Sequence, residues 1–179
     1  MINKIEFKSK NLTANGAAEL IKEIVANLKT NELEIFFRMD SGYFDEEIIE
    51  TIESLGCKLL IKAKAYATLI SQVTTSSAVF LKGINEKETA ELLIKLGKWK
   101  KKRRFVVYRV LKLEKERAQL SLLDGSEFNY FFFVTNTDLE SEAVVLSYEK
   151  CGNAENYIKE AKYDMSVGHL ILKSFWVKL

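Results

Sequence analysis

The sequence predicts an α/β fold. Three observations carry that expectation: strand-like and helix-like apolar patterns alternate over residues 1–65, a β-rich stretch follows, and helical spacing returns near the C-terminus. Ile2 to Phe7 alternates apolar and polar side chains and reads as a strand. Ala17, Leu20, Ile21, Ile24, Val25 and Leu28 then mark one face of a helix, with Thr13 or Asn15 placed to cap it. Glu32 to Met39 is short, apolar and aromatic, as a buried strand is, and it stops at Asp40-Ser41-Gly42. A second helix starts at once: Asp45 is its N-cap, Phe44 and Ile49 form a hydrophobic staple, Ile48, Ile49, Ile52 and Leu55 form the buried stripe, and Gly56 ends it. Cys57 to Ala63 reads as the next strand. Connections this short predict a right-handed βαβ unit with parallel strands, which sets Asp40 at a strand's carboxyl end, the edge where open α/β sheets carry ligands.

Residues 66–136 form a mostly β insertion on this reading. Phe105 to Leu111, Ala118 to Leu123 and Phe128 to Val134 are β-type runs, with Asp124-Gly125 as a hairpin signal between the last two. Thr89 to Leu96 fits either element and is read as a strand because its neighbours are strands. Residues 137–179 close the core, with helical spacing from Leu139 to about Tyr163. The expected organisation is therefore a first core segment (1–65), the insertion (66–136) and a closing segment (137–179).

Composition removes several function classes. With 179 residues, 47% of them hydrophobic, the chain can bury one good core. No apolar run reaches the roughly 18 to 20 residues of a membrane span, and the N-terminus has no signal-peptide core, which points to the cytoplasm. Cys57 and Cys151 make neither a metal-ligand spacing nor a disulfide framework. His169 is the one histidine, and no serine or cysteine nucleophile motif accompanies it, so a hydrolase of that kind is excluded.

The net charge is only +2, but Lys98-Trp99-Lys100-Lys101-Lys102-Arg103-Arg104 gathers cations around an aromatic ring. That grouping suits phosphate contact and base stacking, and equally suits a solvated turn before a strand. In the last helix, Tyr148, Cys151, Glu155 and Lys162 fall on one stripe. An ordinary amphipathic surface would show the same spacing.

These residues also carry a resemblance. Tyr148 to Lys162, with Tyr148, Glu155 and Lys162 in register, resembles the Tyr-x2-Arg-x3-Glu-x6-Lys signature of insertion-sequence transposases of the IS4 superfamily, and Ala154-Glu155-Asn156 with Ile158-Lys159-Glu160 is similar to its IS1380 branch. Phe37-Arg38-Met39-Asp40-Ser41-Gly42-Tyr43-Phe44 resembles that branch's Arg-x-Asp-Ser-Gly-Phe motif. Trp99 with Arg103-Arg104, and Phe133-Val134-Thr135-Asn136, are weaker matches in the same order. The resemblance implies an RNase H-like core, a mixed sheet with flanking helices interrupted by a β-rich insertion. It implies two Mg2+ or Mn2+ ions held by Asp40 and Glu155, for cleavage and strand transfer of DNA phosphodiesters at element ends. Tyr148, Lys159 and Lys162 would contact DNA, with Trp99, Lys100, Lys101, Lys102, Arg103 and Arg104 as further contacts, and the intact family suggests a homodimer in a prokaryotic cytoplasm.

The sequence also departs from the pattern. No Asp precedes Asp40, where the family's first catalytic Asp is expected, and Cys151 stands at the signature's Arg. Together with an end at Leu179, these departures imply a degenerate or truncated copy that is inactive alone. The alternatives are a non-catalytic DNA-binding remnant and an inert α/β domain.

Overall fold

The computed structural model of the chain describes residues 3–6, 16–28, 34–83, 87–112 and 127–150, the first of these ranges by its backbone. Among the described residues, seven strands form one sheet, β1 (Asn3–Glu6), β2 (Ile35–Met39), β3 (Lys58–Ala63), β4 (Leu81–Lys82), β5 (Glu88–Ile94), β6 (Arg103–Leu111) and β7 (Phe128–Thr135), in the order β1-β2-β3-β7-β6-β5-β4. Helices α1 (Ala17–Leu28), α2 (Glu46–Ser54) and α3 (Ala67–Thr75) connect or follow the first three strands. The chain divides into two compact units, residues 1–145 and 146–179. The sheet and helices α1 to α3 belong to the first. Residues 141–150 are helical, so the unit boundary falls inside a helix.

The sheet is mixed. β1, β2 and β3 are parallel, with Phe37 opposite Leu59 and Met39 opposite Ile61. β7 then pairs antiparallel with β3, Leu60 opposite Thr135, and β6, β5 and β4 continue antiparallel. The strands of the 66–136 stretch thus prolong the sheet that holds β2. β5 falls where Thr89 to Leu96 is read as a strand. The Ala118 to Leu123 strand and the Asp124-Gly125 hairpin lie outside the described residues, as do the Thr13 and Asn15 caps.

Within the stretch read as mostly β, residues Ala67–Thr75, to which the sequence reading assigned no element, form the helix α3. Leu69 and Val73, one turn apart, are buried and hold it to the core. Thr74 Oγ1 donates to the Ile70 carbonyl at 3.1 Å and Thr75 Oγ1 to the Ser71 carbonyl at 2.7 Å, so hydroxyls that often favour other conformations are satisfied inside the helix.

Alternation along the strands explains the layers. Phe37, Met39, Leu59, Ile61, Phe132, Val134, Phe105 and Val107 share one face and pack with Ile21 of α1, Ile48, Ile49 and Ile52 of α2, and Leu69 of α3 in a single core. The opposite face is buried as well, at Phe36, Arg38, Leu60, Phe133, Val106 and Tyr108, which is why β2 is apolar-rich without an in-and-out alternation. Val144 and Val145 of the 141–150 helix are buried too.

Candidate metal and nucleic-acid site

Asp40 emerges one residue past the Met39–Ile61 pair, at the carboxyl end of β2, and is exposed. Its side chain caps the 3-10 turn Ser41–Tyr43 by accepting from the Ser41 N–H through Oδ1. Tyr43 N–H donates to the Asp40 carbonyl at 3.0 Å and closes the turn. Five buried residues of β2 therefore end in a carboxylate held by a backbone cap and facing solvent. Oδ2 accepts no hydrogen bond among the described residues. A hard, charged oxygen ligand on a rigid strand end is the donor type that Mg2+ or Mn2+ takes, so Asp40 fits such an ion.

The turn runs directly into α2. Asp45 caps that helix, its Oδ1 accepting from the Glu47 N–H at 2.8 Å. The helix closes with the Gly56 N–H on the Glu53 carbonyl (3.1 Å) and the Cys57 N–H on the Ile52 carbonyl (3.1 Å), a geometry that needs the positive φ of +69° found at Gly56. Cap, apolar stripe and stop are as the sequence predicts.

Glu46, Glu50 and Glu53 lie on one face of α2, and the basic run meets them there. Arg103, with a side chain only 3% exposed, donates Nε and Nη2 to Glu53 at 3.2 Å each and Nη1 to Glu46 at 3.3 Å. Its guanidinium carbon lies 4.9 Å from the centre of the Trp99 ring. The Lys100 N–H donates to Glu46 at 2.6 Å, Lys100 Nζ pairs with Glu50 at 2.8 Å and Lys101 Nζ with Glu53 at 2.9 Å. The hydrogen bond from Lys100 holds the Glu50 carboxyl below the usual carboxylate range and raises Lys100 in turn. Trp99 is half-buried in a ring cluster, 5.4 Å from Phe44 and 6.1 Å from Phe105.

Arg104 is spent differently. Its Nε donates to Glu91 at 2.9 Å, and Nη1 and Nη2 donate at 2.6 Å to the carbonyls of Thr137 and Leu139. Ser141 Oγ donates to the same Glu91, tying the start of the 141–150 helix to β5. The Arg104 bond, with help from Ser141, lowers the Glu91 pKa. Of the cations expected to meet DNA, then, Arg103 and Arg104 have their donors engaged inside the protein, whereas the Lys100, Lys101 and Lys102 side chains reach solvent.

Tyr148 lies on the 141–150 helix, in the second compact unit. Glu155, Lys159, Lys162 and Cys151 fall outside the described residues. Among the described residues no group of three or more His, Cys, Asp or Glu side chains is placed to hold a metal ion, and no helix is long and apolar enough to cross a membrane.

Sequence reasoning missed two supports. The α2 glutamates escaped it because their partners lie about fifty positions later in the chain, and Asn136 because its motif shows no purpose until β3 is in place. The Asn136 amide donates to the Cys57 carbonyl at 2.9 Å and accepts from the Leu59 N–H at 2.7 Å, while Thr135 Oγ1 donates to the Leu59 carbonyl at 2.7 Å. This side-chain clasp extends the ladder beyond the end of β7 and steadies the entry to β3.

A family model described as transposase DDE domain group 1 matches residues 8–177. No curated protein matches the chain.

Proposed function

The chain belongs to the transposase DDE domain family, group 1, and from that premise we propose that its chemistry is centred on Asp40 and Glu155 as ligands of divalent Mg2+ or Mn2+. Domains of this family carry out metal-dependent DNA cleavage and transposition, and the mixed sheet with flanking helices is of the RNase H-like class this implies. The observation that carries the assignment to Asp40 is its exposed, backbone-capped carboxylate at the end of a buried parallel strand, inside a family match that spans the chain. When bound, the ions would supply a lowered pKa for an attacking water or 3′-hydroxyl and charge stabilisation at the scissile phosphate.

The likeness to the IS4 superfamily and its IS1380 branch rests on the Tyr148–Lys162 and Phe37–Phe44 motifs. It supports DNA contact by Tyr148, Lys159 and Lys162. Lys100, Lys101 and Lys102 are exposed, as Lys98 is, and we place phosphate contacts on these three. Because no Asp precedes Asp40, the chain supplies two of the three expected acids, and strand transfer would need a third from elsewhere.

Titration with Mn2+, read by electron paramagnetic resonance, tests this reading. Asp40→Asn and Glu155→Gln should each weaken binding at least about tenfold, since each removes one carboxylate ligand. Unchanged affinity in both would overturn the ligand assignment. Mg2+-dependent strand transfer by the chain alone would overturn the two-acid account. DNA retention that falls steeply with salt in the absence of metal would favour the second reading, a DNA-binding domain without chemistry, for which the solvent-facing lysines speak.

A further inference from the structure

We propose that Arg103 and Trp99 are positioning residues for Asp40, gripping the turn that carries it from the α2 side instead of meeting nucleic acid. The inference rests on the reading of Asp40 as a metal ligand.

The Asp40 turn has two anchors. Upstream is β2, locked in the sheet. Downstream is the junction at Asp45, where the turn becomes α2. Both neighbours of Asp45 are held by the start of β6 and the loop before it. On one side, the Phe44 ring packs 5.4 Å from Trp99 and 6.2 Å, edge on, from Phe105. On the other, one oxygen of Glu46 takes hydrogen bonds from the Lys100 N–H and from Arg103 Nη1.

Arg103 joins these two grips. Its planar fork binds Glu53 bidentately one end of α2 away, reaches Glu46 at the helix start, and lies against the Trp99 ring that supports Phe44. A guanidinium so engaged makes a stiff bracket, and a lysine ammonium could not reproduce the planar, two-point hold. Exposed lysines pairing across a surface would be exchangeable, but a 3% exposed arginine has no side left for a phosphate. A carboxylate ligand works when held within about half an ångström of its place, and that tolerance is set by the residues behind it.

The sign of the effect separates positioning from simple electrostatics. By charge alone, removing the Arg103 cation should leave cation binding unchanged or tighter, whereas loosening the Asp40 turn should weaken it. We therefore expect Arg103→Gln to weaken Mn2+ binding by the full-length chain about tenfold, with Arg103→Lys in between, despite its retained charge, and Trp99→Leu to weaken binding without any change of charge. Circular dichroism establishes that each variant is folded under the conditions used. Should Arg103→Gln fail to fold, Arg103→Lys and Trp99→Leu make the same comparison. If Asp40→Asn weakens Mn2+ binding while the Arg103 and Trp99 variants bind as tightly as the parent or tighter, the positioning role is refuted. If Asp40→Asn itself changes nothing, the metal-ligand reading falls first and takes this one with it.

Discussion

At the scale of single residues, the difference between Arg103 and its neighbours is one of burial. Arg103 is enclosed and fully engaged, so Arg103→Met takes one partner from each of Glu46, Glu50 and Glu53, leaving them only their lysine contacts, and should cost about 2 kcal/mol in urea unfolding. Lys101, more than half exposed, makes an ion pair screened by water, and Lys101→Met should cost less than about 1 kcal/mol in the same measurement. Glu91 gives a pH signature. Its pKa is lowered in the folded chain, mainly by the Arg104 hydrogen bond, so its stabilisation is complete above the ordinary carboxylate range and fades as pH falls through the lowered value. The urea midpoint of the parent should accordingly drop more on acidification from pH 7 to pH 3 than that of Glu91→Gln. Burial raises the Cys57 pKa and keeps its thiol protonated at neutral pH.

At the scale of elements, legibility tracks how local the determining forces are. α2 could be read from the sequence because Asp45, the isoleucine stripe and Gly56 all lie within the helix or beside it, and each names the same boundaries. Asp45→Ala should cost about 1 kcal/mol through loss of the cap, and Gly56→Ala about 1 kcal/mol through a left-handed backbone that a Cβ opposes. α3 was not legible, since its threonines and serines favour strand or turn and only the burial of Leu69 and Val73 overrides them. The Asn136 clasp is likewise invisible locally. Asn136→Ala leaves the Leu59 N–H and the Cys57 carbonyl without these partners and should cost about 1 to 3 kcal/mol. Faster amide hydrogen exchange at Leu59 would locate the loss.

Across the whole molecule, the position of Asp40 was readable because parallel βαβ units bring ligands to one edge, a rule that needs no knowledge of distant contacts. The destination of the basic run was not, because cations at 98–104 cannot announce which surface they will face, and here the acidic stripe of α2 receives several of them. The same dependence on distant pairing holds for the sheet itself. β3 lies between β2 on one flank and β7 on the other, and β7 arrives from the far end of the 66–136 stretch. That stretch is therefore no detachable ornament: splicing it out to make a minimal catalytic fragment would bare the amide and carbonyl row along one side of β3, a sticky seam ready to zip onto other chains. Such a shortened protein is expected to collect in the pellet, whereas one trimmed only at the β4 border should stay in the supernatant.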